Sequence, residues 1–449
     1  MGLYLELYDE RNPDMRKITD AFYETIALEV EKRGLVVIRQ PLCRLENEFR
    51  ETVSRFEKNG ADGIITLHLA YSPSLESSAV LADTKLPIYI LDSTPDYSFS
   101  VDEKYSAISY NHGIHGVQDM CNLLLRNGKN FVIEAGHWKE SDVIDRLCRK
   151  IIEQPTGMYG TRVGIIGSPF KGMGDFTVGF EVLKERMGIE TVDCDYNELK
   201  RLVKNVTEGE IDCEIDENKQ YDVRIYNNNL YRTNIRTCLG VRKWIEKNNL
   251  DGFTVNFLDV DSKKGLFSVP FYEASKQMAT GKGYAGEGDV MTSALVSSLS
   301  KLGCETSFTE IFCPDWAENS LFLSHMGEMN INLCTNKPVL HEKDYVFSDV
   351  EVNPIVFSGE FKPGNAILVN LSPSANGEFT LITASIEMFS CDKVKNGVRG
   401  WFRPKMPISD FLSEYSRHGG THHSALVYGD CVEKIQAFAE VMKFRRVIL

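Results

Sequence analysis

At 449 residues, 43% of them hydrophobic and 25% charged, the chain is long enough to bury about three cores and has the make-up of an ordinary soluble protein. Its net charge of −14, relieved by no run of lysine or arginine, repels phosphate backbones and excludes nucleic acid as an expected partner. No apolar stretch approaches the ~20 residues that cross a bilayer, and Met1 runs directly into Leu3-Tyr-Leu-Glu-Leu7 without a charged leader, so a cytoplasmic protein with no membrane attachment is expected.

The first part of the chain alternates strand-like with helix-like segments. Leu3 to Tyr8 reads as a strand, Met15 to Arg33 has helical periodicity up to Gly34, and Leu35 to Arg39 and Gly63 to Leu67 read as further strands. Leu86-Pro-Ile-Tyr-Ile-Leu-Asp92 continues the series, and a long helix is expected from Ser141 to Ile152. Such alternation implies parallel strands joined by crossover helices, a Rossmann-like arrangement. The helix-breaking stretch Gln154-Pro-Thr-Gly157 sets the boundary of a first domain, 1–157. The charges from Asp102 to Lys104 read as a solvated face.

A second α/β domain is expected over 158–304. Thr161-Arg-Val-Gly-Ile-Ile-Gly167 is a buried strand that runs into Ser168-Pro-Phe-Lys-Gly-Met-Gly-Asp175. That loop lacks the G-x-G-x-x-G spacing of a dinucleotide site, and Pro169 marks it as a loop of another kind. Between Asn234 and Lys247 the residues Ile235, Cys238, Leu239 and Ile245 share a helical face, and Gly252 to Phe257 is a further strand. Beyond about residue 304 the texture changes. Glu342 to Val352, Pro354 to Phe361, Asn365 to Leu371 and Glu378 to Phe389 are short β-rich runs between Gly, Pro and Asn turns. The expected fold class is α/β: two Rossmann-like parallel-sheet domains followed by a C-terminal β-rich, antiparallel barrel-like domain over 305–449. The eleven cysteines are dispersed with no C-x-x-C pair, which reads as reduced, packed thiols.

Four residues in separate, unusually worded segments carry the chemistry. Glu287 lies in Gly283-Tyr-Ala-Gly-Glu-Gly-Asp289, where glycines let the backbone turn sharply beside a helix start at Val290. Glu310 lies in Thr306-Ser-Phe-Thr-Glu-Ile-Phe312, whose alternation points Phe308, Glu310 and Phe312 to one face of a strand. His325 ends the apolar run Leu321-Phe-Leu-Ser-His-Met-Gly327, and His423 lies in His418-Gly-Gly-Thr-His-His-Ser424. Two carboxylates and two imidazoles are the donors a divalent metal centre needs if it also handles protons. Taken singly, each has a plainer reading: a turn or helix-cap glutamate, a satisfied buried histidine. Adjacent imidazoles are harder to explain structurally, since metal sites favour them.

These blocks, in this order and near this spacing, resemble the active-site segments of L-arabinose isomerase and, more broadly, of the arabinose/fucose isomerase group: Ala285-Gly-Glu-Gly-Asp289, Thr306 to Glu310, Ser324-His-Met326 and Gly419-Gly-Thr-His-His423. Upstream, Leu67-His-Leu-Ala-Tyr-Ser-Pro73, His112-Gly-Ile-His-Gly116 and Gly136-His-Trp138 resemble blocks of that family's first domain, so the likeness spans nearly the whole chain. It implies an aldose–ketose isomerase acting on a pentose- or deoxyhexose-type sugar. A proton leaves the carbon beside a carbonyl and returns to its neighbour through a cis-enediol, with a divalent ion spreading the developing charge. Glu287 and Glu310 would be the catalytic, proton-handling pair, their pKa values pushed apart. With His325 and His423, as neutral imidazoles, they would hold the metal, Mn2+ or another divalent cation. His422 would be either the actual ligand or a residue behind it.

The resemblance also implies substrate contacts from Phe170 and Met173 in the 168–175 loop, from Phe257, Phe312 and Met326, and from His115 reaching in from an adjacent subunit. A homo-oligomer, a hexamer with active sites near subunit interfaces, follows from that last point. The pattern departs from the family at Glu6 to Asp14, where a substrate-binding glutamine has no match, and at Phe312, which replaces a tyrosine; such losses alter which sugar is accepted. A metal-assisted epimerase of a sugar or polyol derivative and a noncatalytic carbohydrate-binding relative are the other readings the same donors permit.

Overall fold

The computed structural model describes residues 1–99, 107–152, 157–348, 350–394 and 396–449. The chain divides into two compact units, Met1–Gln154 and Pro155–Leu449. Most of the expected boundary at Gln154 to Gly157, and all of Asp102 to Lys104, lie outside the described residues.

In the first unit, Gly2–Leu3, Ile64–His68, Ile88–Asp92 and Phe131–Ala135 form a parallel sheet in sequence order, as the alternating pattern requires. Helix Pro13–Glu31 starts at a proline that its fixed φ suits and stops before Gly34, whose φ is +89°. Two strand expectations fail here. Leu3 to Tyr8 is a strand only to Leu3, because Glu6–Arg11 forms a helix whose acidic first turn (Glu6, Asp9) and basic last turn (Arg11) match the helix dipole. Leu35 to Arg39 forms no strand: among the described residues the sheet edge beside Leu3 is met only by a bridge at Cys43, and Val36 is exposed.

The second unit holds two sheets. Its parallel sheet runs Glu190–Asp193, Arg162–Ile166, Gly252–Val255, Gly283–Gly286 in spatial order, covered by helices that include Asn228–Lys247 and Val290–Lys301. The latter two are capped by Asn227 and Asp289, whose side chains accept from backbone N–H groups of the first turn. The other sheet closes on itself. Glu305–Asp315, Ser320–Ser324, Val398–Pro404, Phe379–Phe389, Gly364–Pro373 and His423–Tyr428 pair antiparallel all the way round, giving a six-stranded barrel. Closure leaves this β-rich region no free edge in the ring. Ile355–Glu360, Val339–Glu342, Asp222–Arg224 and Arg445–Ile448 add to its outside. The fold is thus parallel α/β followed by an antiparallel barrel.

Two further expectations are corrected. Of the Glu342 to Val352 region only Glu342, the last residue of strand Val339–Glu342, is strand; residues 343–348 and 350–352 form an irregular loop, held where the N–H groups of Glu351 and Val352 meet the Phe267 carbonyl. Cys304 and Cys431 are joined in a disulfide, not free. Strand pairing explains it: Glu305 lies opposite Tyr428, which carries two cysteines 127 residues apart in sequence to the same end of the barrel. The nine other cysteines are free.

Candidate metal centre

Three of the four donor residues come from one row across neighbouring barrel strands. Glu310 pairs directly with His423 on one side and with Ser324 on the other, and His325 follows Ser324 immediately. The fourth comes from the parallel sheet. Glu287 stands just past the carboxyl end of Gly283–Gly286, where ligands of open α/β sheets gather. Its φ of +64° is the left-handed conformation that a residue with a Cβ avoids at a cost of about 1–2 kcal/mol. Two backbone hydrogen bonds hold it there: the Glu287 N–H donates to the Val255 carbonyl at 2.9 Å, and the Phe170 N–H donates to the Glu287 carbonyl at 2.8 Å. Next to it, Gly288 has φ +80° and a built Cβ would lie 2.6 Å from the Ser168 carbonyl oxygen, so no other residue fits the turn.

Glu310 Oε1 lies 3.1 Å from His325 Nε2 and 3.0 Å from His423 Nε2, while Glu287 Oε2 lies 3.4 Å from His423 Nε2 and 3.5 Å from His422 Nε2. Glu287, Glu310, His422 and His423 each offer a donor atom within 4.8 Å of all the others. The tightest group therefore contains His422 rather than His325, which touches the cluster through Glu310. Every imidazole is braced by its own carboxylate. His423 Nδ1 meets Asp289 Oδ2 at 2.8 Å, His325 Nδ1 meets Glu328 Oε2 at 2.7 Å, and His422 Nδ1 meets Asp175 Oδ2 at 2.6 Å. Asp289 and Glu328 are fully buried, and Glu328 also accepts from the Tyr284 hydroxyl at 2.9 Å. Phe176 stacks on His423, its ring centroid 4.8 Å away, and Phe308 stands edge-on to both His325 and His423.

Charges follow from this packing. Burial raises the Glu287 pKa, but the imidazoles of His422 and His423 beside it outweigh that and hold the carboxyl at about 2. Glu310, against the same opposition from burial, is pulled well below the ordinary carboxylate range by His325 and His423. The two acids are thus both held low, not pushed apart as expected, because imidazoles rather than each other are their nearest partners. Burial lowers the His325 pKa, yet Glu328 and Glu310 carry it up to about 10, and His423 is raised well above its usual value by Asp289, Glu287 and Glu310. These protons occupy the positions a cation would take, so loading the site would release them and leave the imidazoles neutral.

A divalent metal suits the cluster on structural grounds. His423 Nε2 is fully buried and lies close to two carboxylate oxygens, yet among the described residues none meets it in hydrogen-bond alignment. An unsatisfied buried polar atom of that kind costs about 1–3 kcal/mol and here faces a nest of oxygen and nitrogen donors. A carboxylate behind each histidine is the arrangement that orients metal-binding imidazoles.

The other residues implied by the sequence are distributed unevenly. Phe170, Met173, Phe257 and Met326 are partly buried and pack on the same core as the cluster; Phe170 and Phe257 contact each other with ring centroids 5.6 Å apart. Phe312 does not share the face of Phe308 and Glu310 as the alternation predicts. A β-bulge between Ile311 and Cys313 breaks the alternation at that point, and Phe312 is 45% exposed. His115 belongs to the N-terminal unit, on the exposed first turn of helix Gly113–Arg126, 3.1 Å from His112 and beside the Tyr71 ring. Sequence reasoning missed Asp175, Phe176, Tyr284 and Glu328. Glu328 had a signal in its spacing three residues after His325; Asp175 had none.

Comparison with known proteins agrees with this geometry. The family model of the L-arabinose isomerase central domain matches residues 180–305, and that of the L-arabinose isomerase C-terminal domain matches residues 305–445. The chain is 23% identical to an L-arabinose isomerase of Herpetosiphon aurantiacus, over 93% of this chain and 87% of that one. It is 23% identical to an L-arabinose isomerase of a Shewanella species, over 96% and 88%, and 24% identical to one of Geobacillus kaustophilus, over 86% and 80%. With both domain models matched in order and the likeness running through most of the chain, this protein is a divergent, arabinose isomerase-like member of the L-arabinose isomerase family.

Proposed function

We propose that the protein is an aldose–ketose isomerase that works on a pentose- or deoxyhexose-type sugar with a divalent cation, Mn2+ foremost, held by Glu287, Glu310, His325 and His423. The convergence of two ionised carboxylates on two buried imidazoles carries this reading, and relatives named L-arabinose isomerase support the reaction class. A bound cation would supply positive charge that stabilises the negative charge developing on the sugar oxygens. Glu310 and Glu287 are ionised and can each accept a proton; one takes it from the carbon beside the carbonyl and hands it to the neighbouring carbon, while the other carries the hydroxyl proton from the oxygen that becomes the carbonyl to the oxygen that was one, by way of a cis-enediol. Asp289, Glu328 and Asp175 fix the three imidazoles in rotation and tautomer, and Phe176 and Phe308 exclude water from one side. Phe170, Met173, Phe257, Met326 and His422 line the sugar side. The same reading includes a cytoplasmic homo-oligomer, a hexamer, in which His115 of a neighbouring copy reaches the sugar.

The test is a panel of aldoses and ketoses with and without Mn2+, followed by NMR of the products in heavy water. Expected are a ketose from one aldose, deuterium at the exchanging carbon, and loss of turnover by about 10²–10⁴-fold in Glu310→Gln with melting unchanged. No conversion of any sugar, or an epimer in place of a ketose, overturns the proposal.

A further inference from the structure

We infer that Tyr345 hydrogen-bonds a hydroxyl group of the substrate and is a specificity-determining residue of the isomerase proposed above. Tyr345 lies in the irregular loop that follows Val339–Glu342. Its side chain is 6% exposed, and among the described residues its buried hydroxyl has no partner beyond the equally isolated hydroxyl of Ser348, three residues on. Two buried hydroxyls that pair only with each other leave one O–H donor unspent, and a ligand or water is needed to accept it.

Its position places that need at the site. The Tyr345 ring contacts Phe257 at 6.4 Å between centroids, Phe271 at 5.6 Å and Phe347 at 5.5 Å. Phe257 in turn meets Phe170, whose N–H holds the Glu287 carbonyl. On the same loop, the Lys343 ammonium donates to the Met326 carbonyl, next to His325. The loop is therefore tied to both walls of the cluster. Burial raises the Tyr345 pKa first, the charge of Glu328 and then that of Glu287 raise it further, and the Ser348 hydroxyl lowers it, in keeping with a hydroxyl that sits in the field of those two acids. An aromatic clamp of Phe257, Phe271 and Phe347 fixes the ring so that the hydroxyl is preorganised. Such a site favours a sugar with a hydroxyl at one carbon and discriminates sharply against the analogue that lacks it.

Tyr345→Phe tests this, because it removes one oxygen and keeps the ring in its clamp. Steady-state kinetics use the sugar that the wild-type protein converts best and its monodeoxy analogues, and calorimetry follows sugar binding to the Mn2+-loaded protein in parallel. Expected for the variant are a KM raised about 10–100-fold for the parent sugar, kcat within a few-fold of wild type, and unchanged melting. One monodeoxy analogue, poor for the wild type, should be handled equally by both. Equal kcat/KM for the parent sugar, or the same proportional loss for every analogue, overturns the assignment. Should a sugar bind without being isomerised, weaker binding to the variant upholds Tyr345 while sinking the isomerase reading; equal binding sinks Tyr345.

Discussion

Replacing Asp289 by Asn separates two tasks that one fully buried side chain performs. Its Oδ1 accepts the Thr292 N–H at 2.8 Å and caps helix Val290–Lys301, and its Oδ2 takes His423 Nδ1 at 2.8 Å. Asparagine caps a helix about as well as aspartate, so keeping its oxygen at Thr292 should leave stability within about 1 kcal/mol on that account. The amide NH2 then faces His423 Nδ1, which must present a lone pair, and the imidazole carries its proton on Nε2, aimed at Glu287 and Glu310. A protonated Nε2 cannot bind a cation. Losing the bracing carboxylate behind a metal-binding histidine typically costs 10–100-fold in affinity, about 1.4–2.7 kcal/mol. Turning the amide over rescues the imidazole but sets two donors face to face at the cap, for a stability loss of about 1 kcal/mol. Mn2+ titration followed by electron paramagnetic resonance, with thermal melting of the metal-free protein alongside, reads both routes. If neither affinity nor melting moves, the double role of Asp289 is wrong.

Asp175 offers a contrast, since one oxygen, Oδ2, accepts both the His422 N–H at 3.0 Å and Nδ1 at 2.6 Å. Asn can reproduce both contacts through its single oxygen, so Asp175→Asn should retain kcat within about 3-fold while Asp175→Ala loses about 10-fold; equal losses would show that charge, not orientation, matters. Elsewhere, Arg242 forks onto Glu214 and Glu273, and Glu214 is 4% exposed. Burial opposes ionisation of Glu214, but Arg242 lowers its pKa from 4.5 to about 2. A depressed carboxyl stabilises fully above its unfolded value and loses that contribution as pH falls from about 4.5 to about 2. The contribution is about 3 kcal/mol, nearer 2 kcal/mol after solvent screening. Urea unfolding across that window should show a flatter pH dependence for Glu214→Gln than for the wild type; parallel curves would remove Glu214 from the account.

How far the sequence disclosed this molecule depended on whether a feature was local. Alternating strand and helix patterns in the first 300 residues, and short runs between turn residues afterwards, reflect periodicities that each segment carries by itself. So do the four donor segments, whose glycines and paired histidines have few ordinary uses. What stayed hidden was set by neighbours distant in sequence. Asp175 meets His422 across 247 positions, and Cys304 finds Cys431 only through strand register. The acids were expected to repel one another because their imidazole surroundings could not be read from spacing. The β-bulge at Phe312 has no glycine to announce it, and Glu6–Arg11 became helical because its end charges outweighed an alternation only a few residues long.

The centre is assembled from two halves that belong to different sheets packed on one shared core. Asp175, Glu287 and Asp289 hang from the parallel sheet, whereas Glu310, His325, His422 and His423 ride on the barrel ring. Any ion or sugar that grips both groups at once acts as a rivet between sheets that otherwise share no ladder. Its binding free energy is then added to the stability of both sheets together, by RT ln(1 + [L]/Kd), so that neither can melt while the rivet holds.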